Sequence, residues 1–390
     1  PRSTDLVKHE AITKRPRGSS SHLPLETIKG VTVGPIENSL QPGRGYGTPY
    51  SEALLNHLAR MGVNWISVTP FGRIWSLSST EIYMDFEAPY EENRKAIRRF
   101  IEQAHARGMK VLLVPHLWVW NEQGWRGEIH FGSQAEWEEY LQSYRAVLLL
   151  WAHDAASAHA DALSIGVECT SWSWRFREFW VNLIEEVRSV FPGLLTYSAN
   201  WDEVWDAGFW DHLDVIGVNA FYPLAHHPNA SFEEYLGNAE KVASELELLS
   251  KVWSKPLLFV EVGYTSRLNA GVEPWLWPDG MTGVRESEEE QARALEAILW
   301  ALGKRKWFIG FFVWRYYANL DDLSQEPPWG FSPHAKLAEK VLMQLFSSPF
   351  EWDLKDGWFG WVERRGDGVQ LGQIMALWGS TAAYPTNSTR

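Results

Sequence analysis

The chain reads as a single (β/α)8 barrel of the TIM type, and three features predict it. Eight short apolar runs, near 28–33, 63–69, 109–115, 162–167, 194–199, 213–219, 256–260 and 307–313, have the length and composition of strands buried on both faces. Amphipathic stretches at helical spacing separate most of them, the alternation that builds a parallel sheet flanked by helices. Two of the runs, the fourth and the seventh, close on a glutamate, Glu168 and Glu261. A doubly wound open sheet is the competing architecture. Residues 1–24 are polar and locally basic (Lys8, Lys14, Arg15, Arg17) and read as a flexible tail, leaving 25–349 for the barrel. Residues 350–390, with Trp352, Trp358 and Trp361 and a Ser/Thr-rich finish, fit no further βα unit and form a C-terminal extension of no assigned role.

In chain order, Ile28 opens the first strand. Gly43-Arg44-Gly45-Tyr46-Gly47 imitates a phosphate-cradling loop, but it lies well past its strand and lacks the required continuation, so it reads as a flexible first loop. Thr48-Pro49 places a capping residue before proline at the first helical position, ahead of Leu54, Leu55, Leu58 and Met61. Ser133 with Glu136, Ser231 with Glu234 and Ser287 with Glu290 have capping-box spacing. Trp137, Tyr140, Leu141, Tyr144 and Leu148 form the apolar stripe behind the first of these. Gly108 and Gly303 stand where C-terminal caps belong. Ser332-Pro333 opens a last helix through Leu337, Val341, Leu342 and Leu345.

Composition narrows the function. A net charge of −13 argues against nucleic acid or an anionic membrane as partner, since phosphate binding needs clustered cations. No apolar run reaches bilayer-spanning length. Many of the 24 tryptophans fall in loops, where flat rings suit a ligand platform. The lone cysteine, Cys169, excludes an intramolecular disulfide framework and reads as inert packing. His226-His227, and His153 with His159, lack metal-ligand spacing, so neither metal nor cofactor is expected. A chain starting at Pro1 without an apolar signal core reads as a processed form or a protein that stays inside, which leaves secreted and cytoplasmic locations open, as it does the oligomeric state.

In a barrel the functional side chains lie where strands end and loops begin. Those positions carry Arg73 and Trp75 after the second strand, and His116, Trp118, Trp120, Trp125, Arg126 and Glu128 after the third. Asn200 and Trp201 follow the fifth, Asn219 and Tyr222 the sixth, and Trp314 and Arg315 the eighth. Glu168 and Glu261 then face each other across one mouth. A carboxylate there gains nothing from packing to offset its desolvation. Paired acids at the spacing of retaining glycosidases, about 5–5.5 Å, support glycoside hydrolysis by double displacement. The nucleophile needs donors that keep it ionised, for which Tyr222 and Arg315 are candidates, while the acid needs a pKa raised by a neighbouring anion and apolar walls.

Several segments together resemble glycoside hydrolase family 113, the β-mannanases among retaining (β/α)8 glycosidases. They are Gly108 through His116, Trp125-Arg126-Gly127-Glu128-Ile129, Ser164-Ile165-Gly166-Val167-Glu168, Leu195 through Trp201, Leu213 through Tyr222, and Glu261-Val262-Gly263-Tyr264-Thr265-Ser266. The resemblance spans about 28–345 and implies Glu168 as acid/base, Glu261 as nucleophile and Trp314 as the floor beneath the cleaved sugar. The chain departs from the wider clan in having Val167 where asparagine precedes the acid/base, so Asn200 is expected to reach the sugar's 2-hydroxyl instead. Cys169 after Glu168, and a third loop rich in tryptophan, also depart. Cleavage of β-1,4-mannan, glucomannan or manno-oligosaccharides is the expected activity, with His116, Trp118, Trp125, Arg126, Asn200, Asn219, Tyr222 and Trp314 binding sugar. A β-glucanase, xylanase or exo-acting β-glycosidase would keep the mechanism and change the sugar. A non-catalytic carbohydrate-binding barrel would keep the tryptophans but lose one acid.

Overall fold

A computed structural model describes residues 23, 26–34, 43–86, 88–121, 124–277, 281–322, 324–347, 350–352 and 361–363. Apart from residue 23, the expected N-terminal tail lies outside the described residues. The barrel strands are β1 (Ile28–Gly34), β2 (Trp65–Val68), β4 (Lys110–Leu113), β6 (Ala162–Val167), β7 (Leu194–Asn200), β8 (Ile216–Asn219), β9 (Leu257–Val262) and β10 (Phe308–Tyr317). They pair in parallel in the closed order β1-β10-β9-β8-β7-β6-β4-β2. Ile28, Trp65, Leu112, Val114, Ala162, Val167, Leu194, Leu258, Val260 and Phe312 pack together as one buried cluster, and a larger second core includes the helix faces. Gly310 permits closure where β10 meets β1, since a Cβ there would lie 2.1 Å from the Ile28 carbonyl oxygen.

The helices are α1 (Pro49–Met61), α2 (Tyr90–His105), α3 (Gln134–Ser157), α4 (Arg177–Val190), α5 (Phe232–Trp253), α6 (Glu288–Gly303) and α7 (Leu337–Ser347). Thr48, Ser133, Ser231 and Ser287 are N-caps whose side chains accept from the backbone N–H three residues on, each worth about 1 kcal/mol. Gly108 takes the left-handed conformation after α2, whereas Gly303 is itself the last residue of α6. Among the described residues no α-helix is long and apolar enough to cross a membrane.

Four points of the sequence reading are amended or filled in. The fifth strand is followed by no α-helix; a single 3-10 turn, Trp210–His212, fills the short span before β8. The last helix begins at Leu337, because Ala335 adopts a left-handed backbone (φ 58°) that interrupts any helix started at Ser332-Pro333. The first loop is pinned: Tyr46 is buried against Phe100, its hydroxyl donating to the Val33 carbonyl (2.5 Å) and accepting from the Thr69 N–H (3.2 Å). Finally, Pro70 and Pro115 interrupt the second and third barrel strands, after which β3 (Phe71–Ile74) and β5 (His116–Val119) pair in parallel as a separate sheet.

The first and last βα units are tied by Glu339 at the start of α7. Its Oε1 meets His57 Nε2 of α1 (2.8 Å), His334 Nδ1 (3.1 Å) and the Tyr316 hydroxyl (2.9 Å). Burial alone would raise this carboxyl, but donation from His334, His57, the Ala335 N–H and Tyr316 holds it at about 2. In the C-terminal extension β11 (Phe350–Trp352) and β12 (Trp361–Glu363) pair antiparallel, and the remainder lies outside the described residues.

Candidate active site

Glu168 immediately follows β6 and is 6% exposed. Its backbone sits in the left-handed region at φ 50°, a conformation that a side-chain-bearing residue holds only when its surroundings enforce it. The Glu168 N–H donates to the Ser198 carbonyl of β7 at 2.8 Å. Three side chains converge on the carboxylate: Trp125 Nε1 (2.8 Å) and Arg126 Nη2 (3.0 Å) on Oε2, and Asn219 Nδ2 (2.9 Å) on Oε1. Trp125 and Arg126 reach it from the 3-10 turn Arg126–Glu128 and the residue before it.

Glu261 lies within β9, opposite Asn219 of β8 in register, and is 3% exposed. Asn219, whose amide donates to Glu168, also favours the Glu261 anion, an influence smaller than that of burial. Its Oδ1 is buried without a partner among the described residues, an acceptor left for a hydroxyl donor. Glu261 Oε1 stands 3.0 Å from His116 Nε2, and His116 Nδ1 stands 2.8 Å from the Val114 carbonyl.

That last contact fixes the tautomer, since a carbonyl only accepts and Nδ1 must carry the hydrogen. Burial, reinforced by the Arg126 charge, pushes His116 down to about 3, so the ring is neutral and Nε2 is bare. Nε2 can then only accept, and Glu261 supplies the proton. The Glu261 carboxyl is pushed up to about 8 by burial and by the Glu168 charge, against Arg126 and Arg315. Donors therefore gather on Glu168, the expected acid, while burial keeps a proton on Glu261, the expected nucleophile.

The other expected site residues divide into those at the acids and those elsewhere. Trp314 is buried 6.0 Å from the His116 ring, packed with Phe221 and Phe331, and its Nε1 has no partner among the described residues. Arg315 does not donate to Glu261; its guanidinium donates to the Tyr317 hydroxyl (2.6 Å) and lies over the Trp314 and Trp277 rings, acting on Glu261 through its charge alone. The Tyr222 hydroxyl points away from Glu261 and donates to the Trp201 carbonyl at 3.4 Å. Asn200 turns its amide to Asp202 at 2.9 Å, while Asn219 occupies the position beside Glu168. Trp118 is exposed, in ring contact with Phe71 and Phe86. Cys169 is buried and its thiol is driven up by that burial, which suits packing rather than nucleophilic chemistry.

Sequence reasoning missed Tyr197 and Glu203. Tyr197, inside β7, accepts the Cys169 N–H (2.7 Å) and donates to Glu203 Oε1 (2.5 Å). Glu203 is fully buried in a loop whose composition, Trp201-Asp202-Glu203-Val204-Trp205-Asp206, gives the appearance of a solvated acidic turn.

The model of Glycoside Hydrolase Family 113 matches residues 40–332. A family 113 β-mannanase from Alicyclobacillus acidocaldarius, solved in complex with ManMIm, is 26% identical, with a TM-score of 0.71 over 83% of this chain and 98% of that one. A family 113 β-1,4-mannanase complex is similar at 24% identity and TM-score 0.70, over 83% and 99% of the two chains. A β-glucuronidase from Ruminococcus gnavus shares the fold at 14% identity and TM-score 0.53, covering 82% of this chain and 50% of that one. No curated protein sequence matches significantly.

Proposed function

The chain belongs to glycoside hydrolase family 113, and from that premise we propose a retaining, endo-acting hydrolase of β-1,4-mannosidic bonds in mannan, glucomannan or manno-oligosaccharides. The observation that carries this reading is the pair of buried carboxyls at the mouth ends of the fourth and seventh barrel strands, with Asn219 bonded to Glu168 and in register opposite Glu261. Two carboxyls flanking one asparagine suit the close spacing of a retaining pair better than the wider gap that an inverting enzyme keeps for water. The two solved mannanases supply the argument for manno substrates.

Glu261 attacks the anomeric carbon, and Glu168 protonates the departing oxygen, then activates the water that releases the sugar. Glu261 lies in the field of Glu168, which together with burial keeps a proton on Glu261. Turnover requires it on Glu168. A bound substrate favours that transfer twice: its glycosidic oxygen accepts from Glu168, and the cationic character developing at the anomeric carbon favours the Glu261 anion. The Arg126 and Arg315 charges favour the Glu261 carboxylate that results.

Trp314 forms the floor of the cleaved-sugar site, and the buried Asn219 Oδ1 accepts a hydroxyl. Exposed rings follow several strand ends: Trp75, Trp118 and Trp120 after the second and third, Trp174 and Trp205 after the fourth and fifth, and Trp275 after the seventh. Platforms distributed in this way support binding of a chain that continues past the cleavage point in both directions. The test is release of reducing ends from a panel of mannan, glucomannan, cellulose and xylan. Mid-chain cleavage of mannan and glucomannan, with at least about tenfold lower rates on the others, is expected. Activity confined to cellulose or xylan would remove the manno assignment.

A further inference from the structure

Glu203 has no part in the two-acid chemistry, yet it is fully buried beside it. Its surroundings form a clamp between the loops that follow β6 and β7. Oε1 accepts from the Tyr197 hydroxyl at 2.5 Å. Oε2 accepts from the Thr170 hydroxyl at 3.2 Å and from the Asn200 N–H at 3.1 Å. The Tyr197 hydroxyl in turn accepts the Cys169 N–H at 2.7 Å, so the residue following Glu168 is tied through tyrosine to the same carboxyl. Cys169 and Thr170 are thus both fastened to Glu203, and they adjoin the one residue of this segment with a left-handed backbone, Glu168 itself. Burial pushes Glu203 up to about 7 against the donors around it. An apolar residue would fill this space without that desolvation, so its presence calls for a role beyond packing.

We propose that Glu203 is a positioning residue for Glu168, holding the Cys169–Thr170 segment through Tyr197 and its own Oε2 so that the Glu168 carboxyl is aimed at the leaving oxygen. The inference rests on the reading of Glu168 as acid/base. Released, Cys169 and Thr170 no longer sustain the left-handed turn, and the Glu168 carboxyl swings out of line with the scissile bond. Glu261, on the seventh strand, keeps its contact with His116.

A displaced general acid has a signature that loose folding does not share. Glycosides with poor leaving groups need the proton, whereas a 2,4-dinitrophenyl leaving group departs without it. Glu203→Gln keeps the shape and removes one acceptor oxygen. The expected result is a kcat/KM on mannohexaose lowered about 10²-fold, the scale set by misplacement of a reacting group, while kcat/KM on 2,4-dinitrophenyl β-mannobioside changes less than about threefold. Glu168→Ala, measured alongside, shows whether the acid/base reading itself holds: absence of a leaving-group split in that variant would sink the reading, and this inference with it. If Glu168→Ala shows the split and Glu203→Gln lowers both substrates equally, or neither, Glu203 has only a structural role. Should Glu203→Gln fail to fold by circular dichroism, Tyr197→Phe removes a single hydroxyl, severs the Cys169 and Glu203 bonds together, and is judged by the same comparison.

Discussion

Glu261→Gln is expected to abolish glycoside cleavage while making the protein more stable at neutral and alkaline pH. The expected fall in rate is about 10⁴-fold or more, equivalent to about 5 kcal/mol of barrier, because an amide in place of the carboxylate cannot take up the glycosyl group. The stability gain follows from where the proton sits. Unfolded, a glutamate titrates near 4.5; folded, Glu261 is pushed up to about 8 by burial and by Glu168. Below the unfolded value both states are protonated, and the carboxyl costs nothing relative to glutamine. Between the two values folding must take up a proton, so the wild-type chain loses stability as pH rises, and above about 8 the deficit levels off. The glutamine amide can donate to the bare His116 Nε2, so the exchange leaves the ring partnered. Thermal unfolding of both chains at pH 4, 6 and 8.5 checks this: the advantage of the variant should be near zero at the first and largest at the last. A variant less stable at every pH would show that Glu261 is held as an anion in the folded protein.

Glu168→Ala is expected to lower kcat/KM on mannohexaose by about 10²–10⁴-fold, the contribution of a positioned general acid. On 2,4-dinitrophenyl β-mannobioside the same quantity changes little, because that leaving group needs no proton. Instead kcat falls, since water attack on the glycosyl–enzyme has lost its base. Azide, which needs no base, should restore kcat and yield a β-linked mannobiosyl azide. Equal losses on both substrates without azide rescue would assign Glu168 to binding rather than proton transfer. The removal of Glu168 also releases Trp125 and Arg126, whose donors now end on its Oε2. Part of any change in KM therefore reports that loop.

The parts of this site legible in the sequence are those fixed by local pattern. An apolar run ending in a carboxylate marked both Glu168 and Glu261, because the carboxyl end of a buried parallel strand opens onto the barrel mouth. The caps at Thr48, Ser133, Ser231 and Ser287 were equally local. What escaped depended on contacts distant in sequence. His116 was visible as a strand-end residue, but its partner Glu261 is 145 positions away. The β3–β5 pairing was hidden because Pro70 and Pro115 end the regular runs, although Phe71-Gly72-Arg73-Ile74 and His116-Leu117-Trp118-Val119 are themselves short strands. Tyr222 lies beyond the end of β8, where two-residue alternation no longer dictates side-chain direction, and its hydroxyl went to Trp201. Glu203 was the least legible of all. Its neighbours are acidic and aromatic, and only Thr170 and Tyr197 brought against it make it a buried group.

The central claim is double displacement through a covalent intermediate on Glu261, and the anomeric configuration of the newly formed reducing end reports on it most directly. Proton NMR spectra taken in the first minutes of mannohexaose cleavage, before mutarotation, should show the β-anomer accumulating first. First appearance of the α-anomer would mean a single inverting attack by water, and would contradict both the role of Glu261 and the close pairing of the two acids.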